Sequence, residues 1–277
     1  MARRALAEKI EGRGEDMERP EAAYPPHGPA RAFGQAGRRL LDLVYPPVCP
    51  LTGEAVTSHG AFSAAAWARA EMIAPPWCDA CGLPFALTDP AAPLCMACAA
   101  TTGFPGRLTG KGRLDRLRCA LRYDEESAPL ILALKYGDRH DGVPALARLL
   151  ARCGEELLTT GVTLVPVPLH RRRLAARRYN QAALLTGALS KLTGLPHDAR
   201  LLARLKATPK QKGLSPAARR RNVAGAFAAR RGAEAGRFVL VDDVLTSGAT
   251  LLSCARALRR AGAAEVTALT LARVVRG

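Results

Sequence analysis

The apolar positions of this chain fall into short blocks of two textures. Phe238-Val239-Leu240-Val241 is a continuous apolar block, rich in β-branched residues and followed at once by charge. A strand buried on both faces reads this way. Residues 162–167 form a similar block, stopped by Pro166 and Pro168, and residues 266–271 a third. Residues 117–123, LRCALRY, alternate and predict a half-buried strand; residues 201–204 predict a short one. Between these blocks the apolar period lengthens to that of a helix. Residues 129–136 predict a helix closing at Gly137, and residues 143–158 a second, with Leu146, Leu149, Leu150 and Leu157 on one face. Leu174, Ala182, Leu185, Leu189 and Leu192 mark the packing face of a third, and LLSCARALRRAG, from Leu251, a fourth. Upstream, residues 31–44 predict a short amphipathic helix ended by Pro46-Pro47.

From about residue 117 the texture is therefore α/β, preceded by a stretch with a different logic. The length of 277 residues suffices for one substantial domain and a smaller module. The boundaries expected are a disordered tail over 1–30, rich in proline, a cysteine-bearing module over 31–112 and an α/β domain over 113–277. No apolar run is long enough to span a bilayer. The first residues lack the apolar region of a secretory signal, so a cytoplasmic location is expected.

Charge changes the picture more than composition does. The formal net charge is +17, and residues 165–231 hold sixteen Lys and Arg against one acid, Asp198. Such a concentration attracts polyanions: pyrophosphate, a sugar phosphate or nucleic acid. Part of it lies in residues 207–227, which run long without an apolar period and carry Lys210 and Lys212. A basic loop of that length reads as a lid over an anion or as a nucleic-acid contact. A second basic cluster, Arg171, Arg172 and Arg173, follows the strand at 162–167 and precedes a helix. A basic loop at that position is suited to phosphate, because arginine forks match its oxygens.

Eight cysteines are present, four of them in the pairs Cys78/Cys81 and Cys95/Cys98, separated by thirteen residues. Two Cys-x2-Cys turns supply the four thiolates of a structural zinc site, which leaves no open position for substrate. Cys49-Pro50-Leu51-Thr52-Gly53 looks like a third such turn whose second cysteine is Thr52; Cys49 is expected to be a spectator, the alternative being a ligand in place of one of the other four cysteines. Cys119, Cys153 and Cys254 sit alone in apolar patterns and are expected to be small buried hydrophobes.

The most informative stretch is 238–250, FVLVDDVLTSGAT: strand, paired acids, hydroxyl-bearing turn, helix start. A turn feeding a helix offers unpaired N–H groups and the positive end of the helix dipole to a phosphate. Thr246, Ser247 and Thr250 add hydroxyl donors, and Gly248 lets the backbone approach an anion. Asp242 and Asp243 suit sugar hydroxyls and a hydrated magnesium ion. The segment resembles the phosphoribosyl pyrophosphate (PRPP) loop of type I phosphoribosyltransferases. By that resemblance Asp242 and Asp243 bind the ribose hydroxyls, and Thr246, Ser247, Gly248, Ala249 and Thr250 cradle the 5′-phosphate.

Taken together, the cysteine pairs, LKYGDRHD, VPVPLHRRRLAARRYNQA, the 207–227 loop and the PRPP motif, in that order, resemble the ComF family. The resemblance implies a type I phosphoribosyltransferase fold, a parallel sheet flanked by helices, with a small N-terminal zinc-ribbon module. It implies PRPP and Mg2+ as ligands, and pyrophosphate bound by Arg171, Arg172, Arg173, Lys210 and Lys212. Zinc is expected on Cys78, Cys81, Cys95 and Cys98. It also implies a role with single-stranded DNA and the DNA-uptake machinery. Two functions follow: a phosphoribosyltransferase, or a non-catalytic single-stranded DNA-binding accessory in which the pocket is a sensor or relic. Thr52 departs from the family's first cysteine turn.

Overall fold

The computed structural model describes residues 43, 46–49, 52–58, 60–85, 93–100, 113–136, 142–206 and 225–275. The expected tail over 1–30, nearly all of the helix over 31–44 and most of the basic loop, including Lys210 and Lys212, lie outside the described residues.

Among the described residues four strands form one parallel sheet: β1 (Leu117–Arg122), β2 (Val162–Pro166), β5 (Arg237–Leu245) and β6 (Glu265–Arg273). Their order across the sheet is β1-β6-β5-β2. Two short strands, β3 (Leu202–Arg204) and β4 (Phe227–Ala229), pair antiparallel beside it. In the N-terminal module lie two short helices, α1 (Ala64–Ala68) and α2 (Met96–Ala99). The sheet is flanked by α3 (Ala128–Tyr136), α4 (Val143–Cys153), α6 (Gln181–Thr193) and α7 (Ala249–Arg260), with the short α5 (Arg171–Arg177) before α6.

The apolar strand blocks divide by alternation, as the pleat requires. Phe238 and Leu240 of β5 pack with Leu251, Leu252, Ala255 and Leu258 of α7 on one face. Val239 and Val241 turn to the other face, where Leu146 and Leu150 of α4 and Leu185 and Leu189 of α6 cover them. The helix that follows β2 and the helix that follows β5 thus lie on opposite faces. The carboxyl ends of these two neighbouring strands form the crevice in which parallel α/β sheets bind ligands.

Several expected bounds move. The helix expected over 143–158 stops at Cys153, where the Gly154 N–H bonds Leu150 O; Leu157 and Leu158 remain buried in the turn beyond. Asp242 and Asp243 lie within β5, since the strand runs to Leu245 and Asp242 is in register with Thr270. Phe227 belongs to β4 and not to a loop. The third helix is two helices, because Arg178 takes a left-handed conformation (φ 65°) and Asn180 caps a fresh start. Arg171, Arg172 and Arg173 therefore form the first turn of α5 and not a loop. Leu174 falls on the outer side of that short helix and is 41% exposed, so it is no part of the packing face.

The module docks on the edge of the sheet. Ile73 N donates to Ala120 O and Arg122 N to Glu71 O, so the segment around Met72 covers the open side of β1. No helix among the described residues is long and apolar enough to cross a membrane.

Leu240 is fully buried at the centre of β5. Leu240→Ala is expected to lower the unfolding free energy by about 2–5 kcal/mol, whereas Leu174→Ala stays within about 0.5 kcal/mol. Urea unfolding of both variants checks the pair.

Candidate functional site

Two candidate sites emerge among the described residues, a cysteine cluster and a polar cleft. In the first, the Sγ atoms of Cys78, Cys81, Cys95 and Cys98 all lie within 4.8 Å of one another and all four residues are buried. Cys81 Sγ and Cys95 Sγ are 3.9 Å apart. A tetrahedron with Zn–S bonds of about 2.3 Å has S···S edges of roughly 3.8 Å, so the set fits zinc. The backbone supports it: Gly82 N donates to Cys78 O, Cys78 N to Leu83 O, and Cys95 N to Cys78 Sγ at 3.3 Å. The hydrogen bond from the Cys81 thiol holds Cys78 low, at about 4, and the same pairing pushes Cys81 up. Zinc binds thiols in their deprotonated form.

Cys49 stays outside this cluster. It is buried against the aliphatic core with Phe62 and Ala66. Its turn nevertheless copies the metal-binding one: Gly53 N donates to Cys49 O and Cys49 N to Glu54 O, matching the bonds at Cys78. Gly53 and Gly82 share the left-handed backbone, at φ 72° and 63°. Where the second sulfur would be, Thr52 Oγ1 lies 2.9 Å from Ser63 Oγ, and Ser63 caps α1.

Two buried arginines join the metal module to the sheet. Arg118 donates to Asp79 O (2.9 Å), between the first two cysteines, pairs with Glu156 and stacks on Trp77. Arg273, fully buried, donates to Cys81 O (2.7 Å). Zinc with four thiolates carries a net charge of −2. Two guanidinium groups beside it answer the need of a buried ion for opposite charge.

The second site is a cleft of about 230 Å³ at the carboxyl ends of β2 and β5. Asp242, Asp243 and the whole turn Thr246, Ser247, Gly248, Ala249 and Thr250 line it. The turn leads directly into α7, with Gly248 as its cap at φ 66°. The Ser247 Oγ is buried and has no hydrogen-bond partner among the described residues, as fits a hydroxyl held for a ligand oxygen. Three cations share the lining: Arg173, Arg177 and Arg204. Arg204 comes from β3, is 9% exposed and stacks on Phe227. Burial, and then the charge of Arg173, hold its guanidinium below the ordinary arginine range.

Of the expected anion-binding arginines, the structure brings only Arg173 to the cleft; Arg171 and Arg172 are exposed on α5. Arg177 and Arg204 were not anticipated. Arg177 is the i+4 neighbour of Arg173 on α5 and was readable once a helix was assumed. Arg204 reaches the cleft only through the pairing of β3 with β4. Cys119, Cys153 and Cys254 are buried, and burial raises all three thiols, so they are inert packing.

Comparison with known proteins agrees with this geometry. Residues 40–102 match the double zinc ribbon domain, and residues 201–276 the phosphoribosyl transferase domain. The DNA utilization protein YhgH of Escherichia coli K12 is 37% identical over 169 residues, 58% of this chain and 73% of its own length. Competence protein F of Haemophilus influenzae is 34% identical over 167 residues, 57% of this chain and 73% of its own. Among solved structures, the glutamine PRPP amidotransferase of B. subtilis aligns over 50% of this chain and 30% of its own, with a TM-score of 0.35 and 23% identity.

Sheet, cleft and cysteine cluster define a protein of the phosphoribosyltransferase fold carrying a zinc-ribbon module. Within that class the chain belongs to the ComF family, with YhgH and competence protein F.

Elemental analysis of purified protein is expected to find zinc at one ion per chain. Cys81→Ser and Cys98→Ser lose it, whereas Cys49→Ser retains it. Zinc loss in Cys49→Ser would reassign the ligands.

Proposed function

We propose that the cleft binds PRPP with Mg2+ and that the protein transfers the phosphoribosyl group to an acceptor, releasing pyrophosphate. The observation that carries this reading is that one cleft gathers three kinds of group. The acid pair Asp242 and Asp243, the hydroxyl turn at the α7 start and a wall of arginines all line it. These match in order the ribose hydroxyls, the 5′-phosphate and the diphosphate of one ligand.

The reaction is a displacement at the anomeric carbon. The acceptor's electron pair forms the new bond to that carbon, and the bond to the diphosphate oxygen breaks, the diphosphate leaving with the electron pair. Cleavage of the bond to the diphosphate runs ahead of formation of the new bond, so the sugar carries cationic charge in the transition state, and the acceptor gives up its proton as the new bond completes. Asp242 and Asp243 orient the ribose by accepting from its hydroxyls and hold the water shell of the magnesium ion. Mg2+, when bound, offsets charge on the diphosphate. Arg173, Arg177 and Arg204 stabilise the charge that develops on the leaving group, and their partial burial strengthens this. The backbone N–H groups at the α7 start fix the 5′-phosphate and so position the reacting carbon.

A second reading concerns the exposed arginines. Arg171, Arg172, Arg178, Arg200, Arg230 and Arg231 are exposed. Homologues named for DNA utilization and competence support an additional single-stranded DNA contact there. Of the two aromatic residues in the basic region, Phe227 is buried under Arg204, which removes it as a stacking platform. Binding there would be ionic.

Titration calorimetry with PRPP and magnesium is expected to show binding by the wild type and at least a tenfold loss in Asp243→Asn, about 1.4 kcal/mol. Equal affinity in the two proteins overturns the reading. Fluorescence anisotropy with single-stranded oligonucleotides is expected to show binding that falls steeply with added salt; binding indifferent to salt removes the second reading.

A further inference from the structure

The start of α6 borders the cleft as well as the start of α7. Asn180, Gln181 and Ala182 all line it. Asn180 fixes this corner twice: its Nδ2 donates to Val167 O at the end of β2, and its Oδ1 accepts from Ala182 N. Gln181 is the first residue of a thirteen-residue helix and is 2% exposed. Arg177 Nη1 donates to Gln181 Oε1 at 3.4 Å. A guanidinium has only donors to give, so the amide oxygen faces Arg177 and the amide nitrogen turns away. That nitrogen, Nε2, is buried and has no hydrogen-bond partner among the described residues. An amide N–H group left in this state costs free energy unless a ligand completes it.

We infer that Gln181 is an anion-reading residue: Nε2 donates to an oxygen of the diphosphate group, at a second subsite made by the α6 start with Arg173 and Arg177. This rests on the reading of the cleft as a PRPP site and divides it. The 5′-phosphate lies at the start of α7, and the diphosphate at the start of α6. Each anion meets the positive end of a helix dipole, and the helices come from opposite faces of the sheet. Gln181 is a neutral donor among cations. It adds direction to a wall that otherwise offers mainly charge.

The test is calorimetric titration of the full-length protein with inorganic pyrophosphate and, separately, ribose 5-phosphate, each with magnesium. Gln181→Met is expected to weaken pyrophosphate about tenfold and leave ribose 5-phosphate unchanged. Gln181→Glu keeps an acceptor for Arg177, and so the corner, but places an acceptor where the donor was; it is expected to lose more than Gln181→Met. Thermal melting establishes that each variant folds, and the Gln181→Glu arm decides if Gln181→Met does not. Pyrophosphate bound as in the wild type, or both ligands weakened alike, overturns the assignment. So does a wild-type protein that fails to bind pyrophosphate. Wild-type binding of pyrophosphate without PRPP or ribose 5-phosphate defeats the transferase reading and leaves Gln181 standing. PRPP binding untouched by either variant does the reverse.

Discussion

Two guanidinium groups buried between a sheet and a cysteine cluster are the constraint on which this architecture rests. A cation placed out of water is costly unless opposite charge and good acceptors surround it. Arg118 finds Glu156, two carbonyls and the Trp77 ring; Arg273 finds the carbonyl of Cys81, while its Nε and Nη2 have no hydrogen-bond partner among the described residues. The module thus supplies an acceptor to each of the two guanidinium groups that the sheet buries. Gly82 fixes how near module and sheet come: a Cβ there would lie 2.8 Å from Leu117 O at the start of β1. The clip also reaches towards the cleft. Arg273 is in register with Leu245, and Val274 N donates to Leu245 O, one residue before the turn into α7 begins.

Sheet topology then does for the ligand what the arginines do for the module. β2 and β5 are neighbours, yet their following helices depart to opposite faces. Two helix starts meet at one crevice only at such a reversal. The strand blocks that build this crevice are continuous and apolar because both faces are covered. Chemistry is confined to the first residues beyond each block.

Much of this was legible in the amino-acid order, for a physical reason. The β5–α7 segment is local: thirteen consecutive residues carry strand, acids, turn and helix start. The cysteine pairs are equally local, since each turn sets its own sulfurs. What escaped was set by tertiary structure. The left-handed Arg178 has no glycine to announce it, so two helices read as one and Leu174 was assigned to a packing face. Arg171 and Arg172 share a charge and a helix with Arg173, and only their positions around the helix separate them. Arg204 and Gln181 look like ordinary polar residues until β3 pairs with β4 and α6 starts beside Val167.

The turn at Cys49 carries a last consequence. It keeps the backbone bonds and the left-handed glycine of its partner at Cys78, yet its second sulfur is replaced by the Thr52 hydroxyl and Cys49 packs into an aliphatic core. Such a turn does not owe its shape to an ion. The ion instead holds two self-braced loops together, and a loop that acquires another anchor is released from it. Dependence on a scarce metal can thus be shed loop by loop, without the chain passing through an unfolded ancestor.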